Sequence, residues 1–214
     1  MAEQKKIRVL VADDCEIVRC GLKAMLAGTE IVIIGEATTG PDTVKFALEH
    51  EVDVVLMDVR MPGGDGLNAL GRIKLEKPEQ PVLLFSSFDN PTYAARAVAL
   101  GAEGYLLKDC PREKLIQAIE TVAAGQDLWT RDELRRISGA LATPRVAAGV
   151  EVSLTKREAE VLRHMVNGLT NEQIAEVMHI SYETIKEHVQ HILGRIGVTD
   201  RTQAAVWAVR NGLM

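Results

Sequence analysis

The first 125 residues of the chain change hydrophobic period again and again, and that alternation leaves few folds open. Short apolar runs at 7–12, 31–37, 52–57, 81–85 and 104–107 each give way to helical spacing, at 17–28, 41–50, 67–76, 90–100 and 111–124. Strands alternating with helices through short loops predict a parallel sheet with helices on both faces, because each parallel neighbour must be reached by a crossover. The run 52–57, VDVVLM, is apolar at all but one position and reads as a strand buried on both sides. Asp58 ends it, and Pro62-Gly63-Gly64 soon after can continue neither helix nor strand. By itself Asp58 reads as a turn cap.

Parallel strands all end on one edge, where open α/β sheets place their ligands. Asp13 and Asp14 follow the first strand, Asp58 the third, Ser86 the fourth and Lys108 the fifth, so the topology gathers them. Two carboxylates about 5 Å apart repel by roughly 3 kcal/mol at an effective dielectric near 20, and three converging ones call for a cation. Oxygen ligands with room for water suit Mg²⁺ better than zinc. Lys108 and the Ser86 hydroxyl are then placed to hold the other oxygens of a phosphoryl group on Asp58. Singly, these residues would be an N-cap, a surface ion pair and a loop hydroxyl; their joint position at one edge outweighs those readings.

The segments VLVADD, VVLMDVRMPGGDG, VLLFSS and GAEGYLLKD resemble the receiver domain of bacterial two-component response regulators over residues 6–125. The resemblance implies a flavodoxin-like strand order 2-1-3-4-5, Asp58 as phospho-acceptor for a sensor histidine kinase, Asp13 and Asp14 as Mg²⁺-binding acids, and Lys108 as the phosphate-pairing lysine. It also implies that Ser86 and Tyr105 form a switch pair; from pattern alone, Tyr105 reads equally as a packed strand aromatic. Asp109 stands where many receivers have Pro after the lysine, which leaves the conformation of that peptide bond open.

Residues 126–150 lose this periodicity. Thr130 and Glu133 have capping-box spacing ahead of a short helix over 131–141, and ATPRVAAG at 142–149 reads as a flexible linker. From 151 to 214 only helix starts occur: helices are predicted over 156–167, 171–179, 182–196 and 201–211, with a tight turn near 179–181. Two short helices across such a turn in a four-helix unit suggest a helix-turn-helix. In the third helix Ile185, Val189, Ile192 and Ile196 share a core face, while Glu183, Glu187, Gln190 and Gly194 lie opposite. A merely solvated face is an open alternative, and a metal site at His188 and His191 lacks a third ligand.

LTKREAEVL, GLTNEQIAEVMHIS, TIKEHVQHIL and IGVTDRTQAAVWA resemble the LuxR-type helix-turn-helix over 153–211, and the whole chain is similar to the NarL/FixJ class of response regulators. The expected organisation is a receiver at 1–125, a linker at 126–150 and a DNA-binding domain at 151–214. The resemblance implies that helix 182–196 enters the major groove of double-stranded DNA, with Lys186 and Gln190 as base readers. Thr184, His188 and Arg195 would lie toward phosphates, and Glu187 is sited to accept from a cytosine amino group. It also implies a homodimer with a contact from the last helix, for which Ala204, Ala205, Trp207 and Ala208 are candidates; Trp207 reads first as core.

Charge and cysteine content bound the alternatives. Residues 1–125 hold 14 basic against 19 acidic residues and 151–214 hold 7 against 8, so net charge does not announce a nucleic-acid binder. Cys15, Cys20 and Cys110 lack C-x-x-C spacing, which argues against a disulfide framework or zinc site. No apolar run is of membrane-spanning length and the start lacks a signal-type apolar core, so a cytoplasmic protein is expected. An Mg²⁺-dependent phosphatase would favour D-x-D after the first strand, where this chain has Asp-Asp-Cys. A phosphorylation-independent scaffold would not need the full acidic and lysine set. The expected protein is therefore a DNA-binding transcriptional regulator, and not an enzyme beyond its own phosphoryl transfer and loss.

Overall fold

The computed structural model describes residues 6–62, 66–134, 154–211 and 213. The linker predicted at 142–149, Gly63 and Gly64, and the helix beyond residue 134 lie outside the described residues. Five strands, β1 (Ile7–Ala12), β2 (Ile31–Ala37), β3 (Val54–Met57), β4 (Val82–Ser86) and β5 (Gly104–Leu107), form one parallel sheet in the order β2-β1-β3-β4-β5. Between and after them run α1 (Glu16–Leu26), α2 (Gly40–Glu49), α3 (Gly66–Glu76), α4 (Pro91–Leu100) and α5 (Arg112–Ala123).

Alternation along the strands builds two cores. Val9, Val11, Val54, Leu56, Leu83, Phe85 and Leu106 face one side, where Leu22 and Leu26 of α1 and Leu115, Ile119 and Val122 of α5 close over them. Leu10, Val55, Met57 and Leu84 point the other way and are just as buried, on the side where α2 packs over β1 and β2 and against α3. Since both faces are covered, the central strands carry no polar alternation, and β3 is buried at every position.

The chain divides into two compact units, one of residues 1–89 and 100–130, the other of 90–99 and 131–214. In the second, helices α6 (Lys156–Val166), α7 (Asn171–Met178), α8 (Tyr182–Ile196) and α9 (Arg201–Arg210) surround a core of Val161, Leu162, Met165, Ile174, Ile185, Ile192, Ile196 and Trp207. The starts are capped as the spacing predicts, with capping boxes at Thr155/Glu158 and Thr170/Gln173 and side-chain caps from Ser181 and Asp200. His179 closes α7 in the left-handed conformation, φ 54°, which turns the chain sharply into α8. Gly197, φ 71°, ends α8 in the same way at lower conformational cost.

Candidate functional site

The sheet ladder continues one step past the strand ends, and that step holds the polar residues in place. The Asp13 amide donates to Ala37 O at 3.0 Å, the Asp58 amide to Ala12 O at 2.8 Å and the Lys108 amide to Ser86 O at 2.8 Å. The side chains meet above this edge. One carboxylate oxygen each from Asp13, Asp14 and Asp58 lies within 4.8 Å of the others. Lys108 Nζ sits between two of them, 2.6 Å from Asp13 Oδ2 and 2.8 Å from Asp58 Oδ2.

Asp13 is 1 % and Asp58 8 % exposed, whereas Asp14 lies open. Burial raises the Asp58 carboxyl above its ordinary 3.8, and the hydrogen bond and charge of Lys108 only partly offset it. Burial alone would lower Lys108, but the hydrogen bonds it donates to Asp13 and Asp58 and their charge hold it above its ordinary 10.5. The remaining Asp58 oxygen, Oδ1, accepts from the Arg60 amide at 3.3 Å, and Asp13 Oδ1 accepts from the Cys15 amide at 3.0 Å. Asp13 Oδ2 is buried and, apart from the Lys108 ion pair, accepts no hydrogen bond. An all-oxygen set with such an under-satisfied carboxylate fits a hard divalent cation such as Mg²⁺, and Asp13, Asp14 and Asp58 are the residues that would hold it.

Ser86 is fully buried, and its hydroxyl accepts from the Phe88 amide at 3.2 Å. Tyr105 Oη donates to the Phe88 carbonyl at 2.5 Å, so both expected switch residues grip the same residue. The Arg60 guanidinium lies 5.4 Å over the Phe88 ring, which ties the loop after β3 to the loop after β4. The described residues include no cis peptide bond, so the bond after Lys108 is trans.

Gly66 is a site residue that sequence reasoning missed. A Cβ there would lie 1.9 Å from Asp58 O, and its amide donates to Val59 O at 2.7 Å. Only glycine lets α3 begin so close to the backbone of Asp58. Gly66 closes the segment VVLMDVRMPGGDG, but glycines are common in such loops, and nothing in the sequence singled this one out.

On α8 the expected DNA-facing residues separate. Lys186, Glu187 and Gln190 are exposed, with Lys186 Nζ 3.9 Å from Glu183. Thr184 and His188 are half-buried, and Thr184 is engaged at the helix start, its hydroxyl 2.9 Å from Ser181 Oγ. Arg195 is exposed and also reaches back across the helical unit. Its Nη1 lies 3.0 Å from Glu158 Oε2, whose carboxylate also accepts from the Thr155 amide and hydroxyl, each at 2.8 Å. Those two bonds and, after them, the charges of Arg195 and His191 outweigh burial and lower the Glu158 carboxyl below its ordinary 4.5. Ala204, Ala205, Trp207 and Ala208, expected as dimer contacts, are all at most 3 % exposed and belong to the core of the helical unit. They offer no surface to a second copy while that packing holds. The small alanines instead let α9 pack closely on its neighbours.

Comparison with known proteins adds the following. Residues 9–120 match the response regulator receiver domain, and residues 152–208 match the bacterial regulatory proteins of the luxR family. The chain is 39 % identical over 213 residues to the uncharacterized transcriptional regulatory protein YxjL of Bacillus subtilis, covering 98 % of each. It is 38 % identical to the transcriptional regulatory protein LiaR of the same organism, covering 97 % of this chain and 99 % of that one. Among solved structures, the response regulator ChrA of a heme-sensing two-component system superposes with a TM-score of 0.53 at 32 % identity, covering 99 % of this chain and all of that one.

Proposed function

The chain belongs to the DNA-binding transcriptional response regulators of two-component systems, in which a receiver domain is joined to a LuxR-type helix-turn-helix, and from that premise we propose how this one is switched. Asp58 accepts a phosphoryl group from a sensor histidine kinase: an Asp58 carboxylate oxygen bonds to phosphorus as the bond from phosphorus to the donor imidazole nitrogen breaks, and the nitrogen keeps the electron pair. Mg²⁺ held by Asp13, Asp14 and Asp58 would neutralise charge on the transferring phosphoryl oxygens. Lys108, already 2.8 Å from Asp58, pairs with a second phosphoryl oxygen, and the Ser86 hydroxyl takes a third. For Ser86 to reach it, the Phe88 amide must be released, and Tyr105, held by the same residue, is freed to turn inward. The observation that carries this reading is the convergence of three carboxylates within 4.8 Å of one another, two of them paired with one lysine.

The rearranged receiver then shifts the population toward a DNA-binding homodimer in which α8 lies in the major groove. Two half-sites offset the weak electrostatic attraction of a helical domain with 7 basic and 8 acidic residues. No described helix is long and apolar enough to cross a membrane, which accords with action in the cytoplasm. The protein is a DNA-binding regulator without a substrate of its own, and phosphoryl transfer to and from Asp58 is its one chemical step. The test is DNA binding with and without phosphorylation: stimulation of the wild type and none in Asp58→Ala is expected, and stimulation that survives the substitution refutes the switch.

A further inference from the structure

The outward face of α8 lies opposite the buried Ile185, Ile192 and Ile196, and it carries Glu183, Glu187, Gln190 and Gly194, all exposed. Such a face is unusual for a helix that approaches a polyanion. The two acids differ in their surroundings. Glu183 has Lys186 3.9 Å away, while Glu187, at the centre of the face, makes neither hydrogen bond nor ion pair among the described residues. Arg195, which could have screened it one turn or two on, is committed to Glu158. Gly194 has nothing within 4 Å of the position a Cβ would take, so no side chain holds the second half of the helix away from an opposing surface.

We propose that Glu187 is the specificity-determining residue of α8, its carboxylate accepting a hydrogen bond from the exocyclic amino group of a cytosine in the major groove. This rests on the reading of α8 as the groove-entering helix. The argument is one of cost. A desolvated carboxylate among phosphates and base acceptors repels nearly everything it meets. In the major groove the cytosine N4 and adenine N6 amino groups donate; the adenine amino group lies beside the N7 acceptor, which repels a carboxylate, and guanine and thymine present acceptors, so cytosine is the base a carboxylate matches without a repulsive neighbour. Glu187 therefore lowers affinity for most sequences and spares those with cytosine in register, and the discrimination comes mainly from rejection.

The test uses the full-length phosphorylated protein, a site selected from random duplex, and that site with each base substituted in turn. For the wild type, one position is expected to require cytosine by at least about fivefold. In Glu187→Ala the preference at that position falls within about twofold among the four bases, while affinity for random duplex rises severalfold because one negative charge has left the interface. Glu187→Gln, which keeps the shape and loses the charge, should also bind random duplex more tightly. A structural role alone would change overall affinity and leave the base preference intact. Retention of the cytosine preference in Glu187→Ala, or its absence from the wild type, overturns the proposal and leaves DNA binding standing. Failure of the wild type to bind any duplex removes the reading of α8 and this proposal with it.

Discussion

The strand-edge cluster and the outward face of α8 both place acids where a partner must come, yet they solve the electrostatics in opposite ways. At the strand edge the charges are buried, so the molecule compensates them internally: Lys108 sits 2.6 and 2.8 Å from two carboxylates. On α8 they are exposed, water screens them, and compensation is left to the incoming partner. A buried site must be complete before its ligand arrives, so its residue types are tightly constrained. An exposed one is completed by its ligand and tolerates a composition as unpromising as 7 basic against 8 acidic residues.

The largest effect that would break this contrast comes from the lysine. Lys108→Ala leaves Asp13 and Asp58 buried side by side without a cation, and the receiver should lose about 3 kcal/mol in denaturant unfolding when divalent cations are chelated. Added Mg²⁺ should restore part of the loss, whereas the same ion should leave the unfolding of a Lys186→Ala variant unchanged. Next is Gly66→Ala: with its Cβ 1.9 Å from Asp58 O, either α3 or Asp58 must move, at roughly 2 kcal/mol of stability, and phosphorylation of Asp58 should slow together with the loss.

Glu158 lies between the two regimes, being buried yet compensated by a cap and by Arg195. Its carboxyl is lowered in the folded state, so its contribution is fully present above 4.5 and is lost as pH falls through the lower folded value. The helical unit should therefore unfold at a lower temperature as pH falls below 4.5. Glu158→Gln should flatten that dependence and cost about 1 kcal/mol at neutral pH. The smallest effect is on titration. Because burial raises Asp58 above 3.8, its carboxylate takes up a proton earlier on acidification than an ordinary aspartate when divalent cations are chelated. The carboxyl carbon shift of Asp58, followed in chelator as pH is lowered, should change correspondingly early, and a profile that tracks an unperturbed carboxyl would show that the site is more solvated than this packing allows.

What could be read from the sequence follows the same division. The change from strand to helix period marks every element of the sheet, and because parallel strands end on one edge, the convergence of Asp13, Asp14, Asp58 and Lys108 was legible in the sequence. Helix starts in the second unit were equally legible, since a cap is a local bond between residues three apart. Long-range pairings were not. Arg195 and Glu158 are far apart in the chain, and helical phase alone does not show that Arg195 reaches a cap. Ala204, Ala205 and Ala208 have side chains too small to reveal whether they meet a neighbouring helix or a second copy, and the fold places them inside. Gly66 owes its identity to a backbone oxygen eight residues earlier, a distance no periodicity encodes.

The central claim is that the buried cluster exists to receive one phosphoryl group on Asp58. The most direct measurement is intact mass after incubation with acetyl phosphate and Mg²⁺, for the wild type and Asp58→Asn, followed by the oligomeric state of each. The account predicts a gain of one phosphoryl group and a shift toward dimer in the wild type, with neither in the variant. Equal labelling of the two proteins, or no labelling of folded wild type by acetyl phosphate or by its cognate kinase, would contradict it.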